Sequence, residues 1–345
     1  AGAGLAARRG GGNETAATPV EEHRLPLKIT LRGRDLAPEK MKEITGLDPQ
    51  ISLEIAEGDA EWQRVLPETN VLFGSLTPPE LARAAKLRWV QYGAAGVENI
   101  LFPEFVNSPV MLTNAKGCYA PEIAEHVFGL LFGLTRGLAH QIRQMREARW
   151  GGGGGLIELR GMTMGIIGFG GIGRETARRA RAMDMRVIAA DVQALNPEQT
   201  GCLAEEIHPV DGGGLKRVLA ASDVVVCAAP LTKRSAGMLG DEEFAAMKTG
   251  AYFINVSRGK LVKTNALLQA LTSNKLAGAG LDVTDPEPLP ADHALWKLPQ
   301  VIISSHTAGQ SQFAWPRTQD VFVENVLRYV NGLPLLNVVD KAAGF

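Results

Sequence analysis

Residues 165–173 read Gly165-Ile166-Ile167-Gly168-Phe169-Gly170-Gly171-Ile172-Gly173, and this stretch decides the fold. Gly168, Gly170 and Gly173 form the pattern GxGxxG between an apolar run and a helix-like segment. In such a turn the first glycine permits the bend, the second allows close approach of the backbone, and the third lets helix and strand pack together. About 20 residues further on, the next apolar run ends at Asp191, where a carboxylate can accept hydrogen bonds from ribose hydroxyls. The spacing predicts a dinucleotide-binding turn in a doubly wound α/β sheet.

The residues around this turn also favour one form of the dinucleotide. The helix predicted to begin after Gly171 and Ile172 presents its N-terminus to the pyrophosphate, where the helix dipole stabilises negative charge. No Lys or Arg occurs between Val192 and Thr200 to meet a 2′-phosphate. The sequence therefore predicts NAD, rather than NADP, as the cofactor.

Short apolar runs alternate with helix-like stretches on both sides of the turn. This alternation is typical of parallel α/β sheets, and runs that are apolar on both faces indicate a sheet covered by helices on both sides. A long amphipathic helix is expected from Pro121 to about His140, and another from Phe313 to Asn331. At 345 residues the chain is long enough for two domains.

Composition excludes several classes of function. Apolar residues make up 45% of the chain and charged residues 21%, with a net charge of −1, so nothing indicates nucleic acid or an anionic membrane as a partner. No uncharged apolar run is long enough to span a membrane. Three scattered cysteines and isolated histidines predict neither a disulfide framework nor a metal site. A small buried hydrophobe is the simplest role for Cys227.

The N-terminal segment has no apolar stretch of its own. It begins at Ala1 and is rich in Gly and Ala, which is typical of a flexible tail, here residues 1–24. A cytoplasmic protein is expected from the cysteine content, although a processed export signal at this end stays open. The five glycines 151–155 predict a loop of unassigned role.

Three further segments each follow an apolar run that predicts a buried strand. They are Asn255-Val256-Ser257-Arg258-Gly259, Gly280–Pro288 with Glu287, and Ser304-Ser305-His306-Thr307-Ala308-Gly309. An Arg to hold an anion, a His to move a proton and a Glu to orient that His are the groups needed for carbonyl reduction beside a nicotinamide. We therefore expect Arg258, Glu287 and His306 to be catalytic.

Together these motifs resemble the D-isomer-specific 2-hydroxyacid dehydrogenases. The resemblance runs from about Lys28 to the C-terminus and includes the glycine loop, Ala229-Pro230-Leu231-Thr232 and the three segments above. Two departures are Val262-Lys263-Thr264, where members often have Val-Asp-Glu, and the five-glycine run. The first should be a helix start away from the chemistry.

The resemblance implies two Rossmann-like domains with parallel sheets, the nucleotide domain being inserted into the substrate domain. Residues 25–114 and 310–345 would form the substrate domain and residues 115–309 the NAD-binding domain. It further implies a homodimer and NAD-dependent interconversion of a 2-oxo acid and a D-2-hydroxy acid, with His306 as general acid and base. The implied site residues are, for the cofactor, Gly168, Gly170, Gly171, Ile172, Gly173, Asp191, Ala229, Pro230, Val256, Asp282 and His306, and, for the substrate, Ala94, Ala95, Gly96 and Arg258.

Two alternatives remain at this point. The same fold also serves in the family as a nucleotide-sensing corepressor, which binds NAD without a need for turnover. Within enzymes, phosphoglycerate dehydrogenase is the rival. Its phosphorylated substrate calls for cations that the loop Tyr92–Val97 lacks, but the nearby Lys116 keeps this alternative open. Small 2-oxo acids such as glyoxylate and hydroxypyruvate are favoured.

Overall fold

Two parallel β-sheets lie in the part of the chain that this computed structural model describes, residues 25–33, 36–152, 155–193 and 195–345. The tail predicted for residues 1–24 lies outside the described residues. The first sheet and its helices comprise β1 (Leu27–Arg32), α1 (Pro38–Thr45), β2 (Ile51–Ala56), α2 (Asp59–Val65), β3 (Val71–Phe73), α3 (Pro78–Arg83), β4 (Trp89–Gln91), α4 (Pro103–Val106) and β5 (Met111–Thr113).

The second sheet follows two connecting helices, α5 (Ala120–Thr135) and α6 (Leu138–Arg146). Its elements are β6 (Thr163–Ile167), α7 (Gly171–Ala182), β7 (Arg186–Asp191), β8 (Glu206–Pro209), α8 (Leu215–Ala221), β9 (Val224–Cys227), α9 (Asp241–Ala246), β10 (Ala251–Asn255), α10 (Thr264–Thr272), β11 (Leu276–Leu281) and β12 (Val301–Ile303), after which α11 (Ala314–Val330) ends the helical part of the chain.

The central strands of the second sheet are apolar because helices cover both faces. Every residue of β6 and β9 is buried. Side chains of α8, α9 and α10 pack on one face, and those of α5 and α7 pack on the other. Cys227 is fully buried as predicted, and burial raises the pKa of its thiol to about 12. This arrangement confirms the predicted doubly wound sheet.

The strand order of the second sheet determines where a ligand can bind. The order is β12-β11-β10-β9-β6-β7-β8, so the chain leaves β6 toward one edge and later resumes at β9 on its other side. A crevice opens outside the carboxyl ends of the strands at such a switch point, which makes it the usual ligand site of the fold. The glycine loop follows β6 directly and therefore borders this crevice.

Helix α11 returns to the first sheet, whose order is β2-β1-β3-β4-β5. Phe322 and Val326 are buried against β1 and β4, and the Phe322 ring stacks on Phe73 at 4.5 Å between centroids. Burying such side chains stabilises the packing by roughly 1.5–3 kcal/mol each. The second sheet is thus inserted between the first sheet and its last helix, as the resemblance implies. The domain limits at 114/115 and 309/310 stay predictions.

One expectation about local structure was wrong, and one strand was not predicted. The helix predicted from Pro121 to about His140 is two helices, because Gly137 adopts a left-handed conformation with φ of 63° and separates α5 from α6. Strand β8 was not predicted, since it is a half-exposed edge strand of four residues that lacks a continuous apolar run. No helix among the described residues is both long and apolar enough for a membrane span.

Candidate active site

The glycine loop has the geometry that its spacing predicts. Gly168 has φ of 90°, and a Cβ there would lie 2.7 Å from the backbone nitrogen of Ala229. A Cβ at Gly173 would collide with the carbonyl oxygen of Gly168. By contrast, no atom lies within 4 Å of the Cβ position of Gly170, which is exposed at the start of α7. The structure therefore leaves open space over Gly170, beside the helix N-terminus, where a pyrophosphate can approach.

Asp191 ends β7 beside this loop. Its Oδ2 accepts a hydrogen bond from the backbone N–H of Phe169 at 2.6 Å, and Oδ1 accepts one from that of Gln193 at 2.9 Å. Each carboxylate oxygen has a second lone pair, so the group can still accept bonds from a ribose. Asp191 thus links the glycine loop to the end of β7, at the strand end that borders the crevice.

Most of the other residues predicted to bind the cofactor follow strands β9, β10 and β11. Ala229 and Pro230 follow β9, Val256 follows β10 and Asp282 follows β11. The hydroxyl of Ser257 donates to the carbonyl of Ala229 and so joins the first two of these loops. Because carboxyl ends of parallel strands meet at one edge of a sheet, all of these residues border the crevice that begins at the glycine loop.

Asp282 is buried, with 2% of its surface exposed, and its carboxylate accepts three hydrogen bonds. Oδ1 accepts bonds from the Ser304 hydroxyl at 2.7 Å and the Thr307 N–H at 2.9 Å, and Oδ2 accepts one from the Ala308 N–H at 3.0 Å. All three donors belong to the loop that carries His306. In this structure Asp282 therefore anchors the His306 loop, while its contact with the nicotinamide amide stays a prediction.

His306 and Glu287 lie together at the mouth of the crevice. Nδ1 of His306 is 2.6 Å from Oε1 of Glu287, and the imidazole is 46% exposed. His306 has φ of 55°, a conformation that side-chain-bearing residues rarely adopt, and its backbone N–H donates to the carbonyl of Asp282 at 2.8 Å. Because a carboxylate occupies Nδ1, Nε2 is the ring nitrogen left to face a substrate.

Arg258 follows β10, and its guanidinium reaches across to the first sheet. Nη1 donates to the carbonyl of Ser257 at 2.8 Å, while Nε donates to the carboxylate of Glu98. Glu98 comes directly after the loop Tyr92–Val97 and was not among the predicted site residues. Burial alone would raise the pKa of Glu98, but the hydrogen bond and charge of Arg258, together with the charge of His306, lower this pKa below its ordinary value. The structure thus gathers Arg258 and His306 around one carboxylate.

Hydrogen bonds to its carbonyl oxygens fix the loop Tyr92–Val97, which is expected to bind the substrate carboxylate. Asn114 donates to the carbonyl of Ala95 at 2.7 Å, and the backbone N–H of Ala115 donates to that of Ala94 at 3.0 Å. Within the described ranges, the N–H groups of Ala95 and Gly96 have no protein acceptor. Two adjacent free N–H groups beside a guanidinium can hold an anion.

Sequence reasoning missed a second residue, His126 on α5. Its Nε2 is 2.7 Å from the Ser304 hydroxyl, which in turn donates to Asp282. Its contact with Ser304, at the start of the His306 segment, is the feature that distinguishes it. Because 178 positions separate the two residues, the sequence gives no local sign of this contact. In the part of the chain that the structure describes, no cluster of three or more His, Cys, Asp or Glu side chains could hold a metal.

Comparisons with known proteins agree with this geometry. Residues 128–308 match the family model described as D-isomer specific 2-hydroxyacid dehydrogenase, NAD binding domain. The chain is 33% identical over 283 residues to a glyoxylate reductase of Korarchaeum cryptofilum, a match that covers 79% of this chain and 83% of the relative. It is also 33% identical over 265 residues to a D-3-phosphoglycerate dehydrogenase of Archaeoglobus fulgidus, covering 76% of this chain but only 49% of that protein. The chain thus spans about half the length of the latter enzyme.

A solved structure shows the same architecture. The D-isomer specific 2-hydroxyacid dehydrogenase from Xanthobacter autotrophicus Py2, in complex with NADPH and MES, is 26% identical to this chain. The two superpose with a TM-score of 0.77 over 92% of this chain and 99% of the other. Since that protein binds NADPH, the similarity leaves the choice between NAD and NADP to the residues of this chain.

Proposed function

The chain belongs to the D-isomer specific 2-hydroxyacid dehydrogenase family, and on that premise we propose that it reduces a small 2-oxo acid to the D-2-hydroxy acid, reversibly, with NADH. The observation that supports this proposal best is the pairing of His306 with Glu287 at the strand-end edge of the second sheet, where Arg258 also follows a strand. When bound, the nicotinamide supplies the hydride for C2 of the substrate.

His306 is the proposed proton donor. As the carbonyl carbon is reduced, negative charge develops on its oxygen, and Nε2 of the imidazolium donates a proton to it. Glu287 fixes the ring through Nδ1 and stabilises its positive charge. In the direction of oxidation the neutral ring takes the proton back. Positioned acids of this kind contribute on the order of 10²–10⁴ in rate.

Arg258 and the loop of Ala94, Ala95 and Gly96 are proposed to bind the substrate carboxylate. The planar guanidinium can contact both a carboxylate and a carbonyl oxygen, and the free N–H groups of the loop supply the second side of the clamp. This arrangement orients the carbonyl toward His306 and polarises it. The loop itself contains no Lys or Arg, which favours small, unphosphorylated acids such as glyoxylate and hydroxypyruvate over a phosphoglycerate.

We propose NAD as the preferred cofactor. The Asp191 carboxylate lies at the end of β7, where it can accept bonds from the 2′- and 3′-hydroxyls of a ribose and would repel a 2′-phosphate. The residues Gly168, Gly170, Gly171, Ile172 and Gly173 are proposed to form the pyrophosphate cradle. The backbone groups of Ala229, Pro230 and Val256 are proposed to line the other side of the dinucleotide.

A homodimer is proposed from helix α6. None of its residues is buried, and Leu138, Ile142 and Met145 lie on one face at helical spacing, with Met145 71% exposed. A second copy of the chain that covers this face would remove these side chains from water.

Turnover tests the proposal directly. Purified protein with NADH should consume the cofactor in the presence of glyoxylate or hydroxypyruvate, and His306→Gln should lower kcat by at least about 10² while the variant still binds NADH. Tight NADH binding with no oxidation by any 2-oxo acid would instead favour the corepressor-like alternative. Activity only on a phosphorylated acid would favour the phosphoglycerate dehydrogenase alternative.

A further inference from the structure

The carboxylate of Glu98 lies on the guanidinium that is expected to hold the substrate. Nε of Arg258 donates to Oε1 of Glu98, and both side chains are about two-thirds covered, with exposed fractions of 28% and 34% respectively. The two residues belong to different sheets and are 160 positions apart in the chain. Arg258 is therefore already paired with an acid in the substrate crevice.

Glu98 also covers the loop that offers its free N–H groups. A Cβ on Gly96 would overlap Nη2 of Arg258 and would lie 2.7 Å from Oε2 of Glu98. A side chain at position 96 would therefore displace the ends of these two flexible side chains. The ion pair of Arg258 and Glu98 thus lies directly against the Gly96 backbone, where a substrate carboxylate is proposed to bind.

The charge of Arg258 is balanced without a substrate. Arg258 is paired with Glu98, and His306 is paired with Glu287. Tyr92 is affected by the charges of Arg258 and Glu98. Burial and the charge of Glu98 raise the pKa of its hydroxyl, whereas the charge of Arg258 lowers this pKa, and the net result is a raised pKa. Its hydroxyl therefore stays neutral. A ligand that reaches Arg258 therefore brings its negative charge beside that of Glu98.

We propose that Glu98 is a specificity-determining residue, an internal competitor for Arg258 that admits singly charged 2-oxo acids and disfavours doubly charged ones. This inference rests on the proposed function, because it assigns the substrate carboxylate to Arg258 and Gly96. A singly charged acid can displace Glu98 from Arg258, or share Arg258 with it, at a moderate cost in binding free energy. A second carboxylate or a phosphate on the same ligand adds a further negative charge that Glu98 repels.

Oxamate and oxalate separate charge from shape. Both are planar analogues of a small 2-oxo acid, but oxamate carries one negative charge and oxalate two. Their dissociation constants are measured on the NADH complex by nicotinamide fluorescence, for the wild type, Glu98→Gln and the control Glu104→Gln. Glu104 is an exposed acid on α4, so its substitution removes one negative charge from the same domain outside the crevice. Melting temperatures of all three proteins confirm that they are folded.

The expected change is about fivefold tighter binding per ligand charge in Glu98→Gln, the size of a screened interaction near a protein surface. Oxamate should therefore bind about 5 times and oxalate about 25 times more tightly, and Glu104→Gln should change neither. An oxalate-to-oxamate ratio within twofold of the wild type overturns the proposal. Weaker oxamate binding in Glu98→Gln overturns it as well, because Glu98 would then hold Arg258 in place for the ligand. Failure of both ions to bind any of the proteins also counts against it.

This experiment does not depend on turnover. If the wild type reduces no 2-oxo acid, the proposed function fails, yet the two dissociation constants still decide the role of Glu98. If turnover is found, pyruvate and oxaloacetate repeat the comparison with kcat/KM. The preference for pyruvate should then fall about fivefold in Glu98→Gln.

Discussion

A pair of glycine-to-alanine substitutions separates the fold of the glycine loop from its proposed binding role. In Gly168→Ala the new Cβ is placed on a residue with φ of 90° and lies 2.7 Å from the nitrogen and Cα of Ala229. In Gly170→Ala the new Cβ meets no atom within 4 Å, and the φ of −75° suits alanine. The first change should therefore destabilise the protein, and the second should alter only what approaches the loop from outside.

The size of each effect follows from this geometry. The left-handed conformation costs a non-glycine residue about 1–2 kcal/mol, and the clash with rigid backbone adds about 1–3 kcal/mol. At roughly 2–4 °C per kcal/mol for a domain of this size, Gly168→Ala should lower Tm by about 4–20 °C. An extra methyl group against a close-packed pyrophosphate should weaken NADH binding by about 1–3 kcal/mol, or roughly 5- to 150-fold, in Gly170→Ala.

Thermal unfolding without cofactor and NADH fluorescence titration measure the two effects. Gly170→Ala should melt within about 1 °C of the wild type, since it meets no neighbour. Wild-type NADH affinity in Gly170→Ala would refute the placement of the pyrophosphate over this residue. A wild-type Tm in Gly168→Ala would refute the argument from left-handed strain and packing against Ala229.

Three further predictions concern other parts of the molecule. Asp191→Asn should weaken NADH binding about 10-fold or more. It should also reduce the preference for NADH over NADPH, because the charge that repels the 2′-phosphate is lost. An unchanged ratio of the NADH and NADPH dissociation constants in paired titrations contradicts this prediction. Burial alone would raise the pKa of Glu80, but the hydrogen bonds that its carboxylate accepts, among them one from Arg32, lower this pKa below its ordinary value. The ionised carboxylate therefore stabilises the fold above a pH of about 4.5, and this stabilisation is lost as the pH falls below that value. Glu80→Gln should therefore lower stability at neutral pH by about 3 kcal/mol and flatten the acid limb of the Tm profile, and a wild-type acid limb would refute this account. Met145→Glu should shift a wild-type dimer toward monomer in light scattering, and a dimer of unchanged strength would exclude α6 as the interface.

The fold could be predicted because each decisive signal is local. Gly168 follows a buried strand and precedes a helix, so three glycines and a strand end suffice to identify the turn. Arg258, Asp282 and His306 each lie a few residues after a strand. A parallel sheet collects such positions at one edge, so the sequence predicted their proximity without knowledge of any side-chain contact.

The contacts that could not be predicted all join distant segments. Glu98 is visible in the sequence as an acid after a small-residue loop, but nothing local shows that it meets Arg258, because that contact depends on how the two sheets face each other. The bond between His126 and Ser304 likewise joins α5 to the end of β12. Asp282 was implied to bind the cofactor, and no local pattern reveals that its carboxylate accepts three hydrogen bonds from the His306 loop.

These contacts divide the site into a fixed part and a variable part. The conformation of His306, with φ of 55°, costs about 1–3 kcal/mol and is held by its own bond to the Asp282 carbonyl and by those of Thr307 and Ala308 to the Asp282 carboxylate. All of these groups, and Glu287 with them, lie on loops of one sheet, so their geometry does not depend on the other sheet. The pair of Arg258 and Glu98 is different, because its partners come from separate sheets. Any relative movement of the sheets therefore changes the affinity of the crevice for anions while the proton donor keeps its position.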